Sequence, residues 1–295
     1  MPGKQPAIFG EVLFDHFPDG HRVLGGAPFN VAWHLQALGQ KPLLVSRVGR
    51  DQQGRNVRAA MRDWSMDTRA LQTDPGLPTG RVQVQFRNNE PRYDIVHPAA
   101  FDVISDTEAL KQVSTPVDLL YHGTLALRNV ESRAALIALC QQKPGLVFVD
   151  VNLRPPWWQR EQVLKWVAQA DWVKLNSDEL KQLSSQANHV PDLPASFLAN
   201  HQLRGLVITD GARGAELLTE EGARFSARPE TGTSIIDTVG AGDALAAVIL
   251  LGLLEQWPME TALCRAQAFA TAICGQRGAT VRDKDFYRHF RQNWQ

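Results

Sequence analysis

A chain of 295 residues, 44% hydrophobic and 21% charged, suits one large globular domain. Lysine plus arginine and aspartate plus glutamate both number 31, and no basic cluster carries interleaved aromatics, so nucleic acid and anionic membrane are excluded as partners. No apolar run is long enough to span a bilayer, residues 1–6 hold no signal-peptide core, and Cys140, Cys264 and Cys274 lack C-x-x-C spacing; a cytoplasmic protein with reduced, mostly buried thiols is expected.

In chain order, Ala7 to Leu13 is a short apolar run bounded by Pro and Gly and predicts a strand. The chain then turns through Pro18-Asp19-Gly20 and returns through Arg22-Val23-Leu24, a small hairpin. Gly25-Gly26-Ala27-Pro28 opens a helix over Phe29 to Leu38, with proline in the first turn and Gly39 past the end. Leu43 to Val48 predicts a strand and Arg55 to Trp64 a helix. That alternation marks a parallel sheet with crossover helices. It breaks at Gly80 to Arg87, where apolar and polar residues alternate strictly. Asn88-Asn89 makes a turn and Arg92 to Val96 returns. Such an amphipathic pair cannot lie in a sheet buried on both faces. We expect residues 12–24 and 79–98 to form a small β lid on a single domain spanning 1–295. One lid face needs cover from substrate, core or a second subunit, which suggests a homodimer.

The alternation resumes with strands at Leu119 to His122, Leu146 to Val151, Trp172 to Leu175, Leu206 to Thr209 and Ala215 to Leu218. Helices are expected at Val130 to Gln142, Gln159 to Gln169, Asp178 to Leu183, Asp243 to Leu254, Met259 to Cys274 and Phe286 to Trp294. The fold class is therefore α/β.

The chemistry concentrates at Ile235-Ile236-Asp237-Thr238-Val239-Gly240-Ala241-Gly242-Asp243. A glycine-rich turn into an apolar helix offers free N–H groups and the positive end of the dipole, which suits a phosphate. Asp243 beside that turn either caps the helix or does chemistry, and the two roles are compatible. Other polar groups stand at predicted strand ends, where open α/β sheets bind ligands. They are Asp15, Asn30, Asp150-Val151-Asn152-Leu153-Arg154, Asn176-Ser177-Asp178-Glu179 and Thr209-Asp210-Gly211. Turns and caps use the same residue types, so Asn176 or Ser177 could equally cap a helix. G-x-x-x-x-G-K-[ST], a complete G-x-G-x-x-G/A, an H-R-D loop and H-E-x-x-H are all absent from the sequence.

Two signatures resemble the ribokinase-like, or PfkB, carbohydrate kinases: Gly25-Gly26-Ala27-Pro28-Phe29-Asn30-Val31-Ala32 and Asp237-Thr238-Val239-Gly240-Ala241-Gly242-Asp243. Asn176-Ser177-Asp178-Glu179 looks like the family's N-x-x-E motif. The resemblance covers essentially the whole chain and implies an αβα sandwich with a mostly parallel central sheet and a β lid. It implies transfer of the ATP γ-phosphate to a sugar hydroxyl with Mg²⁺. Asp243 would be the base, and the N–H groups of Gly240, Ala241 and Gly242 the anion hole. Asp15, Gly26 and Asn30 match sugar-binding positions, with Asn152 and Arg154 beside them. Asn176, Thr209, Gly211 and Gly214, with Gly240 and Gly242, would line the nucleotide. Glu179 and Asn176 would organise Mg²⁺ through water. Asp237, with the carbonyls of Val239 and Gly278, matches a site for a monovalent cation such as K⁺.

Gly10-Glu11-Val12-Leu13-Phe14-Asp15, Arg92 to Val96 and Asp150 to Arg154 look most like fructokinases, so the resemblance implies D-fructose as acceptor. Ribose, a ketodeoxy sugar acid or a nucleoside would keep the mechanism, and a non-catalytic sugar-binding regulator would keep only the fold. Two residues depart from the family pattern. Phe29 stands where a small residue is usual and is expected to reshape the sugar pocket; Asp210 stands where an apolar or basic residue is commoner.

Overall fold

A computed structural model of the chain describes residues 5–87, 90–113, 117–184, 191–230, 232 and 234–294. Its first part runs β1 (Pro6–Phe9), β2 (Leu13–His16), β3 (Arg22–Gly25), α1 (Ala27–Ala37), β4 (Leu43–Gly49) and α2 (Gln52–Asp63). Next come β5 (Leu71–Asp74), β6 (Gly80–Arg87), β7 (Glu90–Ile95), α3 (Asp106–Gln112), β8 (Leu119–His122), α4 (Val130–Gln141) and β9 (Val147–Asp150). Then follow α5 (Arg160–Val167), β10 (Trp172–Asn176), α6 (Ser177–Leu183), α7 (Leu193–Asn200), β11 (Gly205–Thr209), β12 (Ala215–Thr219) and β13 (Arg224–Ala227). Three helices close the chain: α8 (Ala241–Glu255), α9 (Met259–Cys274) and α10 (Lys284–Asn293).

Among the described residues, nine strands form one sheet in the order β13-β12-β11-β10-β9-β8-β1-β4-β5, and β12 is the one strand antiparallel to the other eight. Alternate residues of a strand face opposite sides, and the sequence fills both sides with apolar groups. Ile8, Phe148, Trp172 and Val207 pack with α1, α8 and α9 on one face. Phe9 and Leu120 pack with α4 on the other, beside Val149 and Val173 under α5 to α7. Residues 244–252 of α8 are buried all round, so this helix is a rigid platform rather than an amphipathic surface helix.

A second, smaller sheet has the order β3-β2-β6-β7. Its apolar face is covered from within the chain, since Val82 and Ile95 pack with Leu13, Ala99 and Phe101, while Arg81, Gln83 and Gln85 are exposed.

Several expectations are corrected. The run Ala7 to Leu13 is not one strand. It divides at Gly10, whose N–H donates to Val45 O and against which Pro28 packs too closely for a side chain. The two pieces enter different sheets. Elements β5, β13, α3 and α7 escaped the sequence reading because they are short and lack a clear apolar period. Ile235-Ile236, for which the sequence predicts no element, is exposed loop, held by N–H bonds from Ile236 and Asp237 to Cys274 O at 2.8 and 3.1 Å. The cysteines are free, but Cys264 is exposed and Cys140 and Cys274 are only half-buried. The proposed turn at Asn88-Asn89 lies outside the described residues.

Candidate active site

Two helices that open on a glycine meet at the carboxyl edge of the large sheet. Gly240 caps α8 with φ 81°, and a Cβ there would collide with Ala279, so only glycine fits. The N–H groups of Gly240, Gly242 and Asp243 have no hydrogen-bond acceptor among the described residues, whereas Ala241 N–H leans on Thr238 O at 3.3 Å. Gly26 caps α1 with φ 109°, and a Cβ there would lie 2.8 Å from Glu11 O. Neither helix has a side-chain cap.

The helices are joined by chemistry. Asn30, in the first turn of α1, donates from Nδ2 to Asp243 Oδ2 at 2.7 Å. Asp243 thus does not spend its carboxylate on capping α8. Burial pushes its carboxyl above the ordinary aspartate value, partly offset by the Asn30 hydrogen bond. Asn30 is itself buried, and its Oδ1 has no partner among the described residues, leaving an acceptor for a ligand hydroxyl.

Beneath this contact lies a charged layer. Lys174 on β10 donates from Nζ to both oxygens of Asp150 at 2.9 Å, and Tyr121 OH donates to Asp150 Oδ2 at 3.2 Å. Burial alone would push the ammonium down, but Asp150, with Asp243 and Glu179, raises it above the ordinary lysine value. Glu11, between β1 and β2, is buried with Oε2 unpartnered, and burial pushes its carboxyl up to about 7. Asp15 on β2 is pushed by burial to about 6, with Arg154 pulling it back. Arg154 itself is exposed and acts on Glu11, Asp15 and Asp243 alike. Asn152 adopts a left-handed backbone, φ 38°, and the next N–H, that of Leu153, donates to Glu179 Oε1 at 2.7 Å.

Asn176 and Glu179 form a reciprocal capping box on α6. Asn176 Oδ1 accepts from Asp178 and Glu179 N–H at 3.0 and 2.8 Å, while Asn176 N–H donates to Glu179 Oε2 at 2.8 Å. Two donors fill the lone pairs of Asn176 Oδ1, so in this arrangement it has none left for a metal's water. Each Glu179 oxygen keeps one lone pair, and burial pushes this carboxyl up. Thr209 on β11 is the register partner of Asn176, which sets the Thr209-Gly211-Gly214 group beside it. Asp210 is accounted for locally: it takes Arg213 Nε at 2.7 Å and Ser177 Oγ at 3.0 Å. No hydrogen bond or ion pair links that group to Asp243 among the described residues.

Asp237 ties two loops together, accepting Val239 N–H at 3.0 Å and Gly278 N–H at 3.1 Å. The Val239 and Gly278 carbonyls accept no hydrogen bond among the described residues. The Ala279 backbone that seats Gly240 is held from behind by buried His34, whose Nε2 donates to Ala279 O at 3.0 Å. Burial lowers His34 to about 3, so it stays neutral.

Phe29 is wholly buried in the core beside Trp33, ring centroids 5.7 Å apart, so its size serves packing under α1 and not the shape of the open edge. Lys174, Tyr121 and Glu11 join the site in the structure and are not among the residues that the sequence points to. A lysine inside the apolar run Trp172-Val173-Lys174-Leu175 was the available signal, since a charge there needs a buried partner.

The pfkB family of carbohydrate kinases matches residues 4–285. The fructokinase of Klebsiella pneumoniae is 30% identical over 291 residues, 93% of each chain. The structure of Xylella fastidiosa fructokinase with bound ATP shares the fold, with a TM-score of 0.86 at 20% identity over 98% of both chains. Aminoimidazole riboside kinase of Salmonella enterica, complexed with aminoimidazole riboside and an ATP analog, gives 0.82 at 25% identity over 97% of this chain and 99% of that one. With the glycine turn, Asp243 and the nine-stranded sheet already in view, this match across nearly the full length means that the chain belongs to the pfkB family of carbohydrate kinases.

Proposed function

We propose that this sugar kinase transfers the γ-phosphate of ATP to a hydroxyl of a free monosaccharide, D-fructose in the first instance. The observation that carries the reading is the 2.7 Å contact between Asn30 and Asp243 at the mouth of α8. A sugar hydroxyl placed there meets the carboxylate that takes its proton and faces the N–H groups that hold the phosphoryl group. The sugar oxygen forms a bond to the γ-phosphorus, the bond to the β–γ bridging oxygen breaks, and ADP leaves. The N–H groups of Gly240, Ala241 and Gly242 take up the charge of the transferring group. Asp15, Gly26, Asn30, Asn152 and Arg154 hold the sugar. Asn176, Thr209, Gly211 and Gly214 line the nucleotide.

The donor set at α6 suits Mg²⁺ only at one remove: Glu179 keeps a free lone pair on each oxygen and would accept from the ion's waters, with Asn176 holding Glu179 in place. Bound there, the ion would neutralise charge on the phosphates. Asp237 likewise keeps acceptor capacity beside two unused carbonyls, which suits a monovalent cation such as K⁺. The small sheet serves as a lid within one domain, and its free edges β3 and β7 offer a second copy a place to pair, giving a homodimer that sedimentation would reveal. We place the protein in the cytoplasm.

ADP release over a panel of sugars, with Asp243→Ala as control, tests the proposal. Fructose turnover that is lost in the control is expected. Preference for a nucleoside such as aminoimidazole riboside, which the Salmonella enterica enzyme holds, would replace fructose while keeping the chemistry. Thermal stabilisation by a sugar without ADP release would instead mark a non-catalytic binding protein.

A further inference from the structure

Residues two apart on a strand share a face, and Phe148 and Trp172 lie under α8. Asp150 and Lys174 therefore point to the same layer, and they are direct register partners on β9 and β10. The ammonium end of this pair is turned toward the glycine turn: a Cβ on Gly242 would stand 3.4 Å from Lys174 Nζ and 3.9 Å from Cε. A buried ion pair is a poor stabilising device, because desolvating two charges offsets most of their attraction. Its place under the first turn of α8 suggests another use.

We propose that Lys174, clamped by Asp150, which Tyr121 holds in turn, is a positioning residue that keeps Asp243 ionised and lays a fixed positive charge beneath the Gly240–Gly242 turn. This rests on the reading of Asp243 as the base. Asp243 is faced by Asn30 from α1, Tyr121 from β8, Asp150 from β9, Arg154 from the following loop, Lys174 from β10 and Glu11 from the β1–β2 link. Asp150 and Lys174 act on it with opposite signs, so removing one or the other moves its ionisation in opposite directions. A pair that merely held the strands together would produce no such contrast.

The test is the pH dependence of kcat/KM, followed by ADP release with the best sugar of the panel, for the wild type, Lys174→Met, Asp150→Asn, Lys174→Arg and Asp243→Asn. In Lys174→Met the acid limb moves to higher pH by roughly one to two units. In Asp150→Asn it moves to lower pH, and in Lys174→Arg it stays close to the wild type. At a pH above every limb, Lys174→Met still shows a reduced kcat with KM for the sugar little changed, because the charge acts on the transferring phosphoryl group. Limbs that move the same way in Lys174→Met and Asp150→Asn, or that do not move, overturn the proposal. Should Lys174→Met fail to fold, Asp150→Asn and Lys174→Arg still decide: an upward or absent shift in the first, or a shift of a full unit in the second, counts against it. Wild-type turnover in Asp243→Asn would remove the base itself, and this inference with it. An inactive Asp243→Asn beside unmoved limbs in the other variants would remove this inference alone.

Discussion

The openings of α1 and α8 are built alike and differ in what lies behind them. Each starts at a glycine with positive φ and has no side-chain cap. Behind Gly26 stands the backbone of Glu11 with a buried carboxyl whose Oε2 has no partner among the described residues, so that mouth suits neutral hydroxyls better than anions. Gly240 instead backs onto a loop held by Asp237 and His34, and its N–H groups face outward over Lys174, so that mouth suits an anion. Under the proposed function, the same local device would serve two ligand classes because the neighbouring charges differ.

That contrast can be broken most severely at the residue joining the two mouths. Asp243→Asn is expected to lower kcat roughly 10³-fold while the sugar still raises the melting temperature, read by ADP release and thermal shift. Separating the mouths is the next step. Gly240→Ala, driven into Ala279 and the left-handed region, should reduce kcat about 10²-fold. Gly26→Ala, meeting Glu11 O, should act chiefly on KM for the sugar; steady-state kinetics on both variants with sugar and ATP varied separates the effects.

The charge behind Gly26 has a pH signature. Glu11 binds its proton up to about 7 when folded, against 4.5 as the ordinary value, so its contribution is intact below pH 4.5 and is lost as pH rises through 7. The Glu11→Gln variant, which cannot ionise, should therefore gain on the wild type as pH rises across that window. The gain should reach about 3 kcal/mol by pH 8 and vanish at pH 4, measured by urea unfolding. The smallest effect is the control for ordinary capping. Ser105 caps α3 with its side chain, accepting Glu108 N–H at 3.3 Å. Ser105→Ala should cost about 1 kcal/mol in the same unfolding measurement and leave turnover unchanged.

Much of this was legible without coordinates. The sequence by itself determined the α/β class, the strict alternation of β6 and the glycine turn before α8, because period, turn residues and helix starts are local properties. The Asn176–Glu179 spacing carries two meanings: a capping box, which the structure has, and a ligand for a hydrated ion, which stays a proposal. Tertiary structure decided the rest. Which sheet each half of Ala7 to Leu13 enters depends on Pro28, and what covers the small sheet depends on Phe101. Phe29 departs from the motif at a position next to the sugar-binding residues, which points to a reshaped pocket, and only packing shows that it lies in the core. Asn30 and Asp243 lie 213 positions apart, and Lys174 acquires its meaning only when strand register sets it against Asp150 and packing brings α8 above it. A charge inside an apolar strand shows in the sequence that a partner must exist, since an unpaired buried charge is too costly; only the fold says which partner, and what the pair is turned toward.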